Sequence, residues 1–161
     1  MMLKRIQPGA EVVAVDVDSE VLRIARRKSL DAGVSVRFDE GSATALPYDR
    51  GSFDCVVSSL AFHHLTAVEK ARAFGEIFRV LRPGGGFHLA DLGPPGTLYT
   101  RLASAIFGRM EHAGDNLRGL LPAMMRAAGF AGVEETRRLT IPFGALVLTR
   151  AHKPGKLVAT P

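Results

Sequence analysis

Three short stretches of the 161-residue chain carry the side chains that could do chemistry. The first is Asp16-Val17-Asp18, where two carboxylates close the apolar run 11–16 (EVVAVD). The second, Ser58-Ser59-Leu60-Ala61-Phe62-His63-His64, ends the apolar run 52–59 and continues past it. The third is Asp91, near the end of the run 86–92 (GFHLADL). Carboxylates accept hydrogen bonds from hydroxyl donors, and histidine titrates near neutrality, so the set suits binding of a polar ligand together with proton transfer. His63 is the candidate for proton removal. The competing reading is that a histidine ahead of a helix only hydrogen-bonds the backbone, which is the expectation for His64. Glycines 84–86 invite a phosphate-loop reading, but they lead into a strand, so the dipole and free N–H groups of a helix start are missing.

The elements that must position these residues follow from hydrophobic periodicity. Run 11–16 reads as a strand, and residues 19–32 as a helix with Val21, Ile24, Ala25 and Ala32 on one face, Asp18 or Ser19 at its start and Gly33 at its stop. Residues 34–38 and 52–59 are further strands. The helix over 66–81 has a capping box, Thr66-x-x-Glu69, and a face of Phe74, Ile77, Phe78 and Leu81, with Pro83-Gly84-Gly85 as its end. Strand 86–92 follows, with His88 expected in the core or facing a helix. An amphipathic helix is expected over 98–110. A second apolar stripe, Leu117 to Ala128, must be kinked or restarted at Pro122. Strands 133–141 and 145–152 are joined so closely that they form an antiparallel pair. The order β-α-β-β-α-β-α-α-β-β predicts an α/β fold with a largely parallel sheet, and in such sheets ligands bind beyond the carboxyl ends of the strands. That rule selects Asp16 and Asp18, residues 39–43, 58–64 and 91–93.

Composition narrows the function classes. A chain of this length, 47% hydrophobic and 23% charged, predicts one globular core. Cys55 is the single cysteine, which excludes a disulfide framework or a cysteine-rich metal site and fits a reducing, cytoplasmic setting. No metal site is expected. No apolar run approaches the roughly 18 residues of a membrane span. The net charge of +5 resides in residues 97–161, which hold nine basic and four acidic side chains. Those basic residues are dispersed without regular aromatic partners, which argues against a nucleic-acid surface.

Three segments now show a resemblance: VVAVDVDSEVLRIARRK, EGSATALPYDRGSFDCVVSSLAFHHL and EIFRVLRPGGGFHLAD resemble consecutive blocks of class I S-adenosylmethionine-dependent methyltransferases acting on small molecules. Order, spacing and local structure agree in all three. The resemblance implies a Rossmann-like class I methyltransferase sheet, mostly parallel with an antiparallel C-terminal strand pair. It implies S-adenosyl-L-methionine as cofactor and methyl transfer to a small-molecule acceptor. Asp16 then takes the family's ribose-binding place, with Val17 beside it. Ser42 and Ala43 stand where the family contacts adenine, although Ser42 replaces the usual Asp and reads equally as a turn serine. Ser59 lines the cofactor, and His63 is the catalytic candidate. Asp91 is expected to face the acceptor, under residues 98–110, whose apolar stripe reads either as a lid or, the favoured reading, as ordinary helix packing.

One departure from the family shapes the remaining expectations. The glycine-rich E/D-x-G-x-G-x-G loop is missing, since the only G-x-G is Gly84-x-Gly86. Residues 2–6 read as the end of the helix that should follow that loop. The chain is therefore expected to lack the family's first, central strand: residues 1–152 form a truncated methyltransferase domain and 153–161 a flexible tail. Either the two flanking strands pair directly, or each leaves an open edge through which a homodimer could form. The alternative function is a non-catalytic remnant, or a fragment that binds no cofactor until another chain completes it. A nicotinamide oxidoreductase is disfavoured because no Tyr-x-x-x-Lys is present at Tyr99, where residue 103 is Ala.

Overall fold

Four residues rich in valine, Val13–Asp16, form strand β1, and a helix must follow because the next strand runs in the same direction. The computed structural model describes residues 7–94, 114–141 and 144–155. It divides into two compact units, Met1–Pro47 and Tyr48–Pro161. The expected residues 2–6, the 98–110 helix and residues 156–161 lie outside the described residues.

In the first unit, helix α1 (Ser19–Asp31) begins at Asp18, whose carboxylate accepts the N–H groups of Glu20 and Val21. It closes at Gly33, whose φ of +62° only glycine adopts without strain. Strand β2 (Arg37–Glu40) pairs in parallel with β1, from Val13 opposite Arg37 to Asp16 opposite Glu40. The strand starts three residues later than the periodicity predicts. Val34 is still bonded back to the helix through Ser29, by its N–H to the Ser29 carbonyl and by the Ser29 hydroxyl to its own carbonyl. The buried face of α1 also differs from the expected one. Leu22 and Ser29 are buried with Ala25 half-buried, and Val21 and Ile24 are exposed. A two-stranded sheet gives the helix a narrow surface, and the i, i+3, i+7 row of Leu22 lies on it.

In the second unit, β3 (Phe53–Ser59) and β4 (Leu81–Gly93) are parallel and joined through helix α2 (Ala67–Val80). The capping box forms as predicted: Thr66 accepts the Glu69 N–H, and the Glu69 carboxylate accepts the Thr66 N–H. Two short helices follow, α3 (Gly114–Leu117) and α4 (Leu121–Ala127). The single stripe predicted over 117–128 is cut by Gly119, at φ +72°, and restarted with Pro122 in the first turn, where a missing N–H is harmless. Strands β5 (Ala131–Ile141) and β6 (Gly144–His152) form the antiparallel pair, and β6 also lies antiparallel against β4. The sheet order is β3-β4-β6-β5. Two ladders are thus parallel and two antiparallel. Among the described residues β1 has a ladder partner only in β2, and β3 only in β4.

Residues 82–85, the predicted turn, bulge out between the pairs Phe53–Leu81 and Cys55–Gly86. A Cβ on Gly85 would lie 2.9 Å from the Arg82 carbonyl oxygen and 3.0 Å from that of Asp54, so the backbone approach itself requires glycine. Lys153 ties down this corner: its ammonium donates to the Phe78 and Leu81 carbonyls at 2.7 and 2.8 Å, satisfying acceptors that the end of α2 leaves open. Inside, Phe62, Phe74, Phe78, Phe87 and Phe130 form one chain of ring contacts, with centroid separations of 4.4 to 6.5 Å. His88, expected to be buried, is exposed, because Phe87 and Leu89 take the covered face of β4 and the pleat sends His88 to the other. No helix among the described residues is long and apolar enough to cross a membrane.

Phe87 has no exposed surface and touches three other rings. Phe87→Ala is expected to cost about 3–5 kcal/mol through lost transfer energy and a residual cavity. Urea denaturation followed by circular dichroism would read this as a lower midpoint at unchanged slope.

Candidate functional site

The strand pleat that buries Phe87 and Leu89 also buries Asp91, two residues further along β4 and 1% exposed. A buried carboxylate must be surrounded by donors, and Asp91 has four. Oδ2 accepts the Phe62 N–H at 2.8 Å. Oδ1 accepts the Leu92 N–H at 2.8 Å and Asn116 Nδ2 at 3.0 Å, and lies 2.9 Å from His63 Nδ1. Backbone N–H groups and an amide nitrogen can only donate, so the oxygens act as acceptors and Nδ1 carries the hydrogen toward Asp91. His63 Nε2 is then the nitrogen with the free lone pair.

The turn after β3 brings His63 to this carboxylate. Leu60 takes a left-handed conformation, φ +53°, held by its N–H to the Ala90 carbonyl at 2.9 Å. A short 3-10 turn, Phe62–His64, follows. Phe62 anchors it by stacking on Phe74 with centroids 4.4 Å apart. His63 is 8% exposed, and the exposed His64 ring lies 4.0 Å from it.

Helix α3 closes the other side of Asp91. Asn116 is 1% exposed, and its Oδ1 has no hydrogen-bond partner among the described residues, an arrangement that costs about 1–3 kcal/mol. Next to it Asp115 receives Arg118 at 2.7 Å and the buried Lys70 ammonium at 3.5 Å. The Arg118 guanidinium, and after it the Lys70 charge, holds the Asp115 carboxyl below its ordinary value of 3.8, against the opposing effect of burial. Asp91 and Asn116 also line a cavity of about 150 Å³ whose walls include Leu89, Leu121, Val147 and Thr149. Arg138 borders it, donating to Glu135 and to the Pro94 carbonyl.

The other sequence-selected residues lie where the parallel strands end. In the first unit Asp16 is half-buried at the end of β1, and its Oδ1 accepts the Asp18 N–H at 3.0 Å. Val17 is 67% exposed. The Gly41 N–H reaches the Asp16 carbonyl, bringing the Ser42-Ala43 turn to the same end. Ser42 Oγ accepts the Thr44 N–H and lies 2.8 Å from the Thr44 hydroxyl, so it serves the turn. In the second unit Ser59, exposed at the end of β3, shares its edge with His63 and Asp91. Asp91, expected to face an acceptor, is instead buried with its acceptor positions filled.

Two residues escaped the sequence reading. Lys70 sits four and seven positions before Phe74 and Ile77, so helical spacing alone marks it as facing the core. Asn116 has no comparable signal, since its partner lies 25 residues away in sequence. Among the described residues no group of three or more His, Cys, Asp or Glu side chains could hold a metal ion.

Comparison with known proteins adds three findings. Residues 1–85 match the model of a family described as methyltransferase domain. The chain is 35% identical, over 96% of its length and 77% of the relative's, to the demethylmenaquinone methyltransferase of Thermus thermophilus, and 33% identical to that of Clavibacter sepedonicus, over 95% and 69%. Its fold is similar to the crystal structure of a SAM-dependent methyltransferase from Methanosarcina mazei, with a TM-score of 0.76 at 21% identity over 97% of this chain and 88% of that one.

Because the Asp115 carboxyl is depressed in the folded state, its contribution to stability is present above its ordinary pKa and is lost as pH falls through the lower folded value. Asp115→Asn is expected to lower stability at pH 7 by about 1–2 kcal/mol. It should also remove that share of the acid-side decline, which denaturant melts at pH 2.5 to 7 would show as a flatter profile below about pH 4.

Proposed function

This chain belongs to the methyltransferase-domain family, whose reaction is methyl transfer to a small-molecule acceptor, and we propose that it methylates an aromatic ring compound of the quinone-precursor class. The observation that carries this reading is the His63–Asp91 pair at the carboxyl ends of β3 and β4. The names of the curated relatives support the acceptor class.

S-adenosylmethionine, when bound, supplies a methyl group on a positively charged sulfur. The residues of the first unit suit its nucleoside. One acceptor position of the Asp16 carboxylate is taken by the Asp18 N–H, and the others are open among the described residues to a pair of ribose hydroxyls. The Ser42-Ala43 turn and Val17 would border the adenine, with the Ala43 backbone rather than the engaged Ser42 hydroxyl as the polar contact.

His63 then handles the acceptor's proton. Asp91 fixes the hydrogen on Nδ1, so Nε2 receives a proton from an acceptor hydroxyl, leaving the electron pair that makes the ring carbon nucleophilic. General-base help of this kind contributes about 10²- to 10⁴-fold, and alignment supplies much of the rest. A free, exposed Cys55 supports a reducing, cytoplasmic setting, and the edge of β3 that has no ladder partner among the described residues offers a second copy of the chain a strand to pair with.

Calorimetric titration with S-adenosylhomocysteine is expected to give micromolar binding, weakened about tenfold or more by Asp16→Ala, the loss of charge-assisted bonds worth roughly 1.5 kcal/mol or more. His63→Gln should lower kcat about 10²-fold or more on a demethylmenaquinol analogue and leave that affinity unchanged. Absence of binding would favour a fold that holds no cofactor on its own.

A further inference from the structure

Asp91 receives two kinds of donor. The Phe62 and Leu92 N–H groups are set by the backbone, whereas His63 and Asn116 reach it through side chains that can rotate. Both side chains meet at the same oxygen, Oδ1. We infer that Asn116 is a positioning residue for His63: by donating from Nδ2 to Asp91 Oδ1 it holds the carboxylate in the one orientation that keeps the histidine hydrogen on Nδ1. The inference rests on the reading of His63 as the proton acceptor.

Three observations support it. First, the amide orientation is set by chemistry, since a flipped amide would point its oxygen at a carboxylate oxygen. Second, the other end of the amide is unfavourable. Asn116 Oδ1 is buried without a partner among the described residues, and a leucine of similar volume would have no such penalty. What the amide contributes must therefore lie in what Nδ2 does to Asp91. Third, the segment that presents it is itself held. Asp115, the preceding residue of α3, is paired with Lys70 of α2 and with Arg118, so the Asn116 backbone is tied to the helix that follows the His63 turn. Among the described residues the charged and titratable groups near the pair include Asp91 on β4, His64 beside the His63 ring, Lys70 and Asp115 at the α2–α3 contact, and Glu135 and Arg138 lining the cavity that Asp91 and Asn116 share.

Without the amide, Oδ1 loses one of its three donors, and only the Phe62 and Leu92 N–H groups and the His63 ring itself are left to hold the carboxylate. His63 would then divide its hydrogen between Nδ1 and Nε2, and only the first form presents Nε2 as a base. Asn116 touches neither acceptor nor cofactor in this account. Its removal should lower turnover without weakening cofactor binding.

The test is nitrogen NMR of histidine-labelled protein at pH 8, which reads the imidazole tautomer in the absence of cofactor and acceptor. Wild type is expected to show His63 as a single Nδ1–H species. Asn116→Leu should show an Nε2–H population of tens of per cent. Asn116→Asp, of the same shape but without the amide donor, should also move the imidazole away from the single Nδ1–H species, because a second carboxyl group at Oδ1 shares a proton with Asp91. With a demethylmenaquinol analogue, kcat of the leucine variant should fall about tenfold with S-adenosylhomocysteine affinity unchanged. Unaltered tautomer in both variants would overturn the inference, as would a loss confined to cofactor affinity. If the leucine variant does not fold, the aspartate variant carries the same reading. Because the tautomer needs no turnover, a chain without methyltransferase activity would still decide the role of Asn116.

Discussion

A carboxylate buried to 1% exposure governs the geometry of the second unit. Moving such a charge out of water is costly by several kcal/mol, and the chain offsets this only by converging four donors on Asp91. Each donor fixes an element. The Leu92 N–H is local to β4, the Phe62 N–H sets where the 3-10 turn lands, the His63 ring sets its rotation, and the Asn116 amide sets where α3 docks. The site is thus a consequence of satisfying one buried charge, and Asp91 and Asn116 also line the cavity beside it.

Bringing Phe62 and His63 to that charge requires backbone strain at Leu60, whose left-handed conformation costs about 1–2 kcal/mol in a residue other than glycine. Full burial of Phe62 contributes about 1.5–3 kcal/mol, and its N–H bond to a charged acceptor adds more. The favourable terms outweigh the strain. The aromatic core is therefore also part of the site, because the ring of Phe62 stacked on Phe74 locates the next residue, His63. A change deep among the phenylalanines would reach the His63 ring through one peptide bond.

Much of this was legible in the chain. The capping box at Thr66, the helix start at Asp18, the short antiparallel return of β5 and β6 and the restart at Pro122 are local grammar, written in residues three or four apart. The three segments carrying the family resemblance marked Asp16, Ser59 and His63 for the same reason: all stand at strand ends, and strand ends follow from hydrophobic runs. What escaped was non-local. The buried face of α1 depends on how narrow a sheet it packs against, and the exposure of His88 on which face of β4 is covered. Asn116 was invisible because a single polar residue between Asp115 and Leu117 carries no periodic signal, and its meaning arises only where it meets Asp91.

The two carboxylates at strand ends show how similar starting chemistry is directed to different ends. Each accepts an N–H from the turn that follows a strand: Asp16 from Asp18 just after its own strand β1, and Asp91 from Phe62 just after β3, the neighbour of β4. An ionised carboxylate has about four acceptor positions. Asp91 has four donors and almost no exposed surface, so it has no capacity left for a ligand and can act only on the groups it already holds. Asp16, half-buried, has one donor among the described residues, which leaves acceptor positions for hydroxyl groups arriving from outside. Counting donors therefore separates the roles that residue type and position leave alike: the unsaturated carboxylate suits binding, and the saturated one suits orienting a neighbour. This is also why the proposed proton-handling role goes to His63, since among the groups bonded to Asp91 only the imidazole has a second nitrogen that can accept a proton.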